Sequence, residues 1–228
     1  MRRLCFLIVV TFLNSFVTAQ ENGLSLSFTQ NEIIPDVLSG APAGLMTVQY
    51  PNNTLLSPGD VLKPMQVKDI PLVTWAIAPN KFYTVVKTDP DAPSRQKPTL
   101  REFLHWLVVN IPGNNVTAGD TIAEFVGAGP PKDTGLHRYV FVVYEQPNWI
   151  KFNEPKVTNR SRASRPKFSV SKFAKKYNLS EPVAGNFFQA EWDEYVPTLQ
   201  RQLSSGQPTL NFNMIALAGV MMVLALTK

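Results

Sequence analysis

"FLHWLVVNI", Phe103–Ile111, is almost continuously apolar. A strand with one face in water alternates apolar and polar residues, so an unbroken run points to a strand covered on both faces. Outward from it, Leu45–Tyr50, Val73–Ile77, Phe82–Thr88, Tyr139–Glu145 and Asn186–Trp192 are also rich in β-branched or aromatic residues. Pro, Gly and Asn punctuate the gaps between these runs. Helical signals are few. Thr29-Gln30-Asn31-Glu32 reads as a capping box before a short turn stopped by Pro35. Ser169 is placed to cap a helix with Val170, Phe173, Ala174 and Tyr177 on one face, and a last helix is expected from Pro197 to about Leu203. The pattern predicts a mainly β chain: an antiparallel β-sandwich with a few peripheral helices, one of them short and C-terminal.

The two ends read differently from this middle. Arg2 and Arg3, the apolar run Leu4–Val10 and the small residues before Gln20 have the layout of a secretory signal peptide over 1–19. The single cysteine, Cys5, falls inside it, so an exported chain would keep no disulfide. At the other end Met214–Leu226 is apolar for 13 residues, short of the roughly 20 a membrane-spanning helix needs. Ser204, Ser205 and Gly206 precede an uncharged spacer before that tail. Small residues, spacer and apolar terminus make the pattern of a glycosylphosphatidylinositol (GPI) attachment signal over 207–228. One domain over 20–206 is expected between the two signals. It would be extracellular, either anchored at the cell surface or secreted.

Losing Arg2, Arg3 and Lys228 with the ends would leave 19 basic residues against 17 acidic ones. That balance gives no argument for a nucleic-acid partner. Charge is nevertheless uneven, because Pro155–Ser180 holds eight basic residues and no acid. Such a run is a solvated face or a contact for anionic lipid headgroups. Four N-x-S/T sequons, at Asn52, Asn115, Asn159 and Asn178, are candidate glycosylation sites in an exported chain.

The chemistry concentrates in "TDPDAPSR", Thr88–Arg95, and around the two histidines, His105 and His137. Asp89 and Asp91 could be a catalytic pair, half of a metal site, or the rim of a pocket. With "HWLVVNIPG" and "GPPKDTGLHRYVFVVYEQ", this segment closely resembles the phosphatidylethanolamine-binding protein family, also called the Raf kinase inhibitor protein family. The likeness runs from about Thr29 to Leu203, through "VLKPMQVKDIP", "KFSVSKFAKKYNL" and "PVAGNFFQAEWDEYVP".

The resemblance implies a β-sandwich with a small anion-binding pocket near its surface. It places Asp89, Asp91, Pro93, His105, Gly129, Pro130, His137 and Tyr139 there, and cis peptide bonds at Ala92-Pro93 and Arg101-Glu102. It implies phosphate-bearing headgroups such as that of phosphatidylethanolamine as ligands, with no cofactor and no metal. In that frame the aspartates act as scaffold. A carboxylate repels phosphate, but it can orient an imidazole and favour its charged form. Glycines at 127 and 129 would let backbone amides approach the anion. Phe103 and Gln200 depart from the tryptophan common in many members and the tyrosine found in the animal proteins at those positions. Catalysis is not expected, since no G-x-S-x-G elbow occurs and the exported chain would lack a cysteine nucleophile. A two-His, two-Asp zinc site is the conceivable exception. Other family members inhibit kinases or serine proteases. An extracellular protease inhibitor or signalling modulator is therefore the alternative, with small hydrophobic ligand carriage, including odorants, behind it.

Overall fold

The computed structural model describes residues 23–206. The expected signal peptide with Cys5, and the tail over 207–228, lie outside these residues.

Residues 23–30 are helical (α1), followed by the irregular turn α2 (Ile33–Asp36). The strands are β1 (Thr47–Gln49), β2 (Asp60–Val61), β3 (Leu72–Thr74), β4 (Phe82–Asp89), β5 (Phe103–Pro112), β6 (Asp120–Ala123), β7 (His137–Gln146) and β8 (Ala184–Ala190). Helix α3 (Val170–Lys176) precedes β8, and α4 (Val196–Ser204) follows it. Six strands form one sheet in the order β2-β8-β7-β4-β5-β6, while β1 and β3 pair separately. Neighbours in the large sheet run antiparallel except β2, which lies parallel to β8. The large sheet is thus mixed rather than uniformly antiparallel, while β1 and β3 pair antiparallel. Each of the six predicted apolar runs overlaps a strand, namely β1, β3, β4, β5, β7 and β8. The short β2 and β6 carry too few residues to show a period.

Alternation along the central strands feeds two cores. Val85, Trp106, Val108, Phe141 and Phe188 pack with Val48 and Val73 of the small sheet. Val86, Leu104, Leu107, Val140 and Phe187 pack with Phe28, Ile33, Val170 and Phe173 from the helical segments. The large sheet therefore has the small sheet on one face and helices on the other. That is why β5 has no polar side, and burial of both faces is the largest favourable contribution to folding here.

Lys87 follows the same alternation onto the apolar face. Its ammonium stands 4.3 Å from the centroid of Phe125 and 5.5–5.6 Å from those of Tyr139, Phe141 and Phe188. Among the described residues it donates one hydrogen bond, to the Val126 carbonyl at 3.4 Å. Burial pulls its pKa down to about 7, with the nearby Asp89 charge opposing.

Ser169 caps α3, its hydroxyl oxygen accepting from Lys172 N–H. The capping box at Thr29–Glu32 does not form. Thr29 belongs to the last turn of α1 and donates its hydroxyl to the Ser25 carbonyl at 2.9 Å. Glu32 turns outward in a left-handed conformation and pairs with Arg95 at 2.7 Å. A helix ending at Thr29–Gln30 already uses the groups that the box would need. The bonds before Pro35, Pro93 and Glu102 are cis, the latter two as the family resemblance implies.

Candidate functional site: a pocket at the strand ends

Three neighbouring strands bring the site together. Asp89 closes β4, Phe103 and His105 open β5, and His137 opens β7. Asp89 and Phe103 are direct partners across β4 and β5, so both face the same end of the sheet. The loops after β4 and β6, together with α4, wall off a small cavity of about 60 Å³. Asp89, Pro93, His105, Gly129 and His137 line it, as do Ala92 and Pro131.

Its polar groups form a closed network. Asp89 Oδ1 accepts from the Asp91 backbone N–H at 2.7 Å, and its Oδ2 lies 2.9 Å from His137 Nδ1. On the other side of that ring, Nε2 lies 3.0 Å from the Thr134 hydroxyl. The Thr134 proton is committed to the Pro131 carbonyl at 2.7 Å, so His137 Nε2 donates. Burial raises the Asp89 pKa, and the hydrogen bond and charge of His137 oppose that rise. His105 donates Nδ1–H to the Val126 carbonyl at 3.1 Å. Burial first, then the charge of Lys87, push the His105 pKa well below its usual value. Its ring leans on Phe103 and meets Tyr139 edge-on, each at 5.2 Å between centroids. Among the described residues no three His, Cys, Asp or Glu side chains gather into a metal site.

Three residues expected at the pocket do not line it. Asp91 turns away and is wholly buried against Arg138. It accepts from Arg138 Nε and from the Arg138 backbone N–H, at 2.9 and 2.8 Å. Asp36 joins this cluster through Arg138 at 2.7 Å and through Arg101 at 3.0 Å. Burial acts to raise the Asp91 pKa, but the Arg138 hydrogen bonds and charge outweigh it and hold the carboxyl low. Pro130 is buried and is not among the residues lining the cavity. Tyr139 stands behind the lining, its phenol oxygen accepting from Gly129 N–H at 3.2 Å.

The glycines serve packing as well. A Cβ on Gly129 would come within 2.8 Å of Leu199, and one on Gly127 would meet the Lys68 backbone at 3.0 Å. Missing from the sequence reading were Leu100, Leu199 and Leu203, which make one wall apolar, and Arg162. The leucines carry no local signal, since their place depends on how α4 returns over the strand ends. Arg162 lay hidden in the basic run Pro155–Ser180, where nothing separates it from its neighbours. Phe103 and Gln200, the two departures from the usual family pattern, both face the cavity.

Asn52, Asn115 and Asn178 are exposed and Asn159 is half-buried. Ser204 ends α4, Ser205 caps it, and Gly206 donates its N–H to the Arg160 carbonyl at 2.9 Å.

Comparison with known proteins agrees with this architecture. The family model described as phosphatidylethanolamine-binding protein matches residues 27–188. A Drosophila melanogaster protein named, provisionally, odorant-binding protein A5 is 42% identical over 75% of this chain and 82% of its own length. A 26 kDa secreted antigen of Toxocara canis is 41% identical, and the match covers 72% of this chain and 63% of that protein. Among solved structures, a carboxypeptidase Y inhibitor complexed with its cognate proteinase is 29% identical with a TM-score of 0.66, covering 76% of this chain and 97% of the inhibitor. A phosphatidylethanolamine-binding protein from Plasmodium vivax, at 22% identity and a TM-score of 0.60, shares the fold over 73% of this chain and 96% of its own. By sequence and by fold, this chain belongs to the phosphatidylethanolamine-binding protein family.

Proposed function

We propose that the chain is an extracellular binding protein, not an enzyme, whose pocket takes a small phosphate-bearing headgroup such as that of phosphatidylethanolamine. The observation that carries this reading is the partly polar cavity over the strand ends, where Asp89, His105 and His137 converge beside an apolar wall. In the resting pocket Asp89 and His137 are tied to each other and to Asp91 and Thr134, an arrangement that favours holding a ligand over activating a water. The finer expectations belong to the same reading: a β-sandwich carrying the pocket, export through a signal peptide, glycans at the exposed sequons, and a GPI anchor replacing the tail.

Calorimetric titration with phosphorylethanolamine, together with native mass spectrometry of protein from animal cells, tests it. The expected result is one bound headgroup per chain and a retained phosphate-bearing ligand. Absence of both would sink the reading. Treating those cells with a phosphatidylinositol-specific phospholipase should release the protein, and resistance to release would remove the anchor.

A second reading, inhibition of an extracellular serine protease, is favoured by the carboxypeptidase Y inhibitor among the similar structures. It predicts a stable complex with a secreted serine protease whether or not the pocket is occupied.

A further inference from the structure

The resting pocket has few hydrogen-bond donors left for an anion. His137 uses Nδ1 toward Asp89 and Nε2 toward Thr134. His105 spends Nδ1–H on Val126, which leaves Nε2 an acceptor in the neutral ring. The depressed His105 pKa, caused by burial and by Lys87, keeps it in that neutral form. Gly129 gives its N–H to Tyr139, and Pro130 and Pro131 have none to give. The histidine donors and the Gly129 amide assigned to the anion from the sequence are therefore already bonded within the protein, and Gly127 is not among the residues lining the cavity.

Arg162 is different. It lines the same cavity. Its guanidinium carbon stands 5.7 Å from the centre of the Phe103 ring, a distance at which the ring face attracts the cation. Among the described residues, no carboxylate lies within ion-pairing distance of it and no acceptor is bonded to it. Arg165, three positions on, shows the contrast, since it is buried and donates to the carbonyls of Leu104, Glu124, Thr158 and Ser161. One of these neighbouring arginines builds the loop, and the other lines the cavity with no side-chain bond among the described residues. Gln200 also lines the cavity, and Leu100, Leu199 and Leu203 supply the apolar wall.

We propose that Arg162 is the anion-recognising residue of this pocket, gripping a phosphate ester through its guanidinium while the leucine wall receives the ester's uncharged part. The proposal rests on the reading of the cavity as a phosphate-ester site, and it names the residue that selects for charge there. A guanidinium presents paired donors that match phosphate geometry and stays charged throughout the accessible pH range. Binding through it should strengthen as a phosphate monoester takes its second negative charge near pH 6. A histidine cation as receptor would behave in the opposite way, losing affinity as the ring deprotonates.

The test is a titration of phosphorylethanolamine at pH 6 and pH 8 into the wild-type protein, Arg162→Gln and Arg162→Lys. Arg160→Gln serves as a control from the same basic run, outside the cavity lining. Arg162→Gln should lower affinity by roughly tenfold to a hundredfold. Arg162→Lys should recover part of the loss, and Arg160→Gln should change it by less than about twofold. Wild-type affinity should hold or rise from pH 6 to pH 8. Inorganic phosphate should bind more weakly than the ester because it leaves the apolar wall unused. Vesicles containing phosphatidylethanolamine, run beside the soluble ester, separate a membrane-borne headgroup from a free one. Arg162 is exposed, so melting curves should be unchanged by its replacement. Wild-type binding that survives Arg162→Gln, equal losses in Arg162→Gln and Arg160→Gln, or affinity that falls tenfold by pH 8 would each overturn the assignment while leaving the phosphate site standing. Failure of the wild-type protein to bind any of the probes would overturn both.

Discussion

Asp89 ends β4 and Asp91 stands two residues on, in the loop that follows, and the structure gives them opposite surroundings. Asp89 faces the cavity, bonded to one imidazole and one amide, and burial raises its pKa. Asp91 faces the interior and meets Arg138 from the side chain and the backbone, which holds its pKa down despite burial. One carboxyl shapes a cavity; the other joins the loop to β7 and, through Asp36, to the N-terminal turn. A buried charge contributes to stability only when a fixed opposite charge compensates its lost hydration. Asp91 has that partner in Arg138, whereas Asp89 has a group that can share a proton.

The comparison breaks most sharply under a single substitution type. Asp91→Asn should destabilise the fold by about 3–5 kcal/mol by leaving Arg138 buried with a weaker partner. Asp91 has a depressed folded-state pKa. Its contribution is present above the ordinary carboxyl value and lost as pH falls through the folded one. Urea melts across the acid range should therefore show a flatter acid limb in Asp91→Asn, and an unchanged limb would place the ion pair outside the acid response.

Lys87 sharpens the contrast by being a buried cation without a carboxylate at ion-pair distance among the described residues. Its folded pKa lies near 7 against 10.5 unperturbed, so between these values the unfolded chain binds more protons and stability rises with pH. Lys87→Met should stabilise by roughly 2–4 kcal/mol at pH 7, with the gain shrinking toward pH 10. Equal melting midpoints of the two proteins at pH 7 would mean that the four surrounding rings compensate the buried charge in full.

His137→Ala should cost about 2–3 kcal/mol, because the ring is fully buried and its loss leaves Asp89 and Thr134 without their shared partner. Thermal melts decide this: wild-type stability would return His137 to the role of a free rim residue. Asp89→Asn should lie within about 1 kcal/mol of wild type at pH 7, since it removes a charge that burial already disfavours. Its raised folded pKa means that the aspartate's stabilisation is full at low pH and fades as pH rises through that value. A loss in Asp89→Asn as large as that in Asp91→Asn would erase the distinction between the two carboxyls.

Much of this was open to reading along the chain. The apolar runs located the central strands because a residue buried on a sheet face shows a period of two, or no period when both faces are covered. The spacing and residue types of the segments around Asp89, His105 and His137 marked one site because they match a family pattern residue by residue. The helix cap at Ser169 was also legible, since a cap is a contact made within one turn. Where competing local contacts existed, as at Thr29, local reading chose the wrong one.

What the amino-acid order determined by itself was therefore local: which segments extend, which few turn, and which polar residues cluster in sequence. Tertiary structure decided the directions. Asp91 pairs with Arg138 only because β7 lies beside β4, 47 residues on in sequence. Lys87 is caged by four rings only because Phe125, β7 and β8 close over its face of the sheet. Arg162 reaches the cavity although seven other basic residues share its run. Contacts between residues far apart in sequence depend on how the strands stack and which way each loop returns, and no period or spacing within a single segment carries that information.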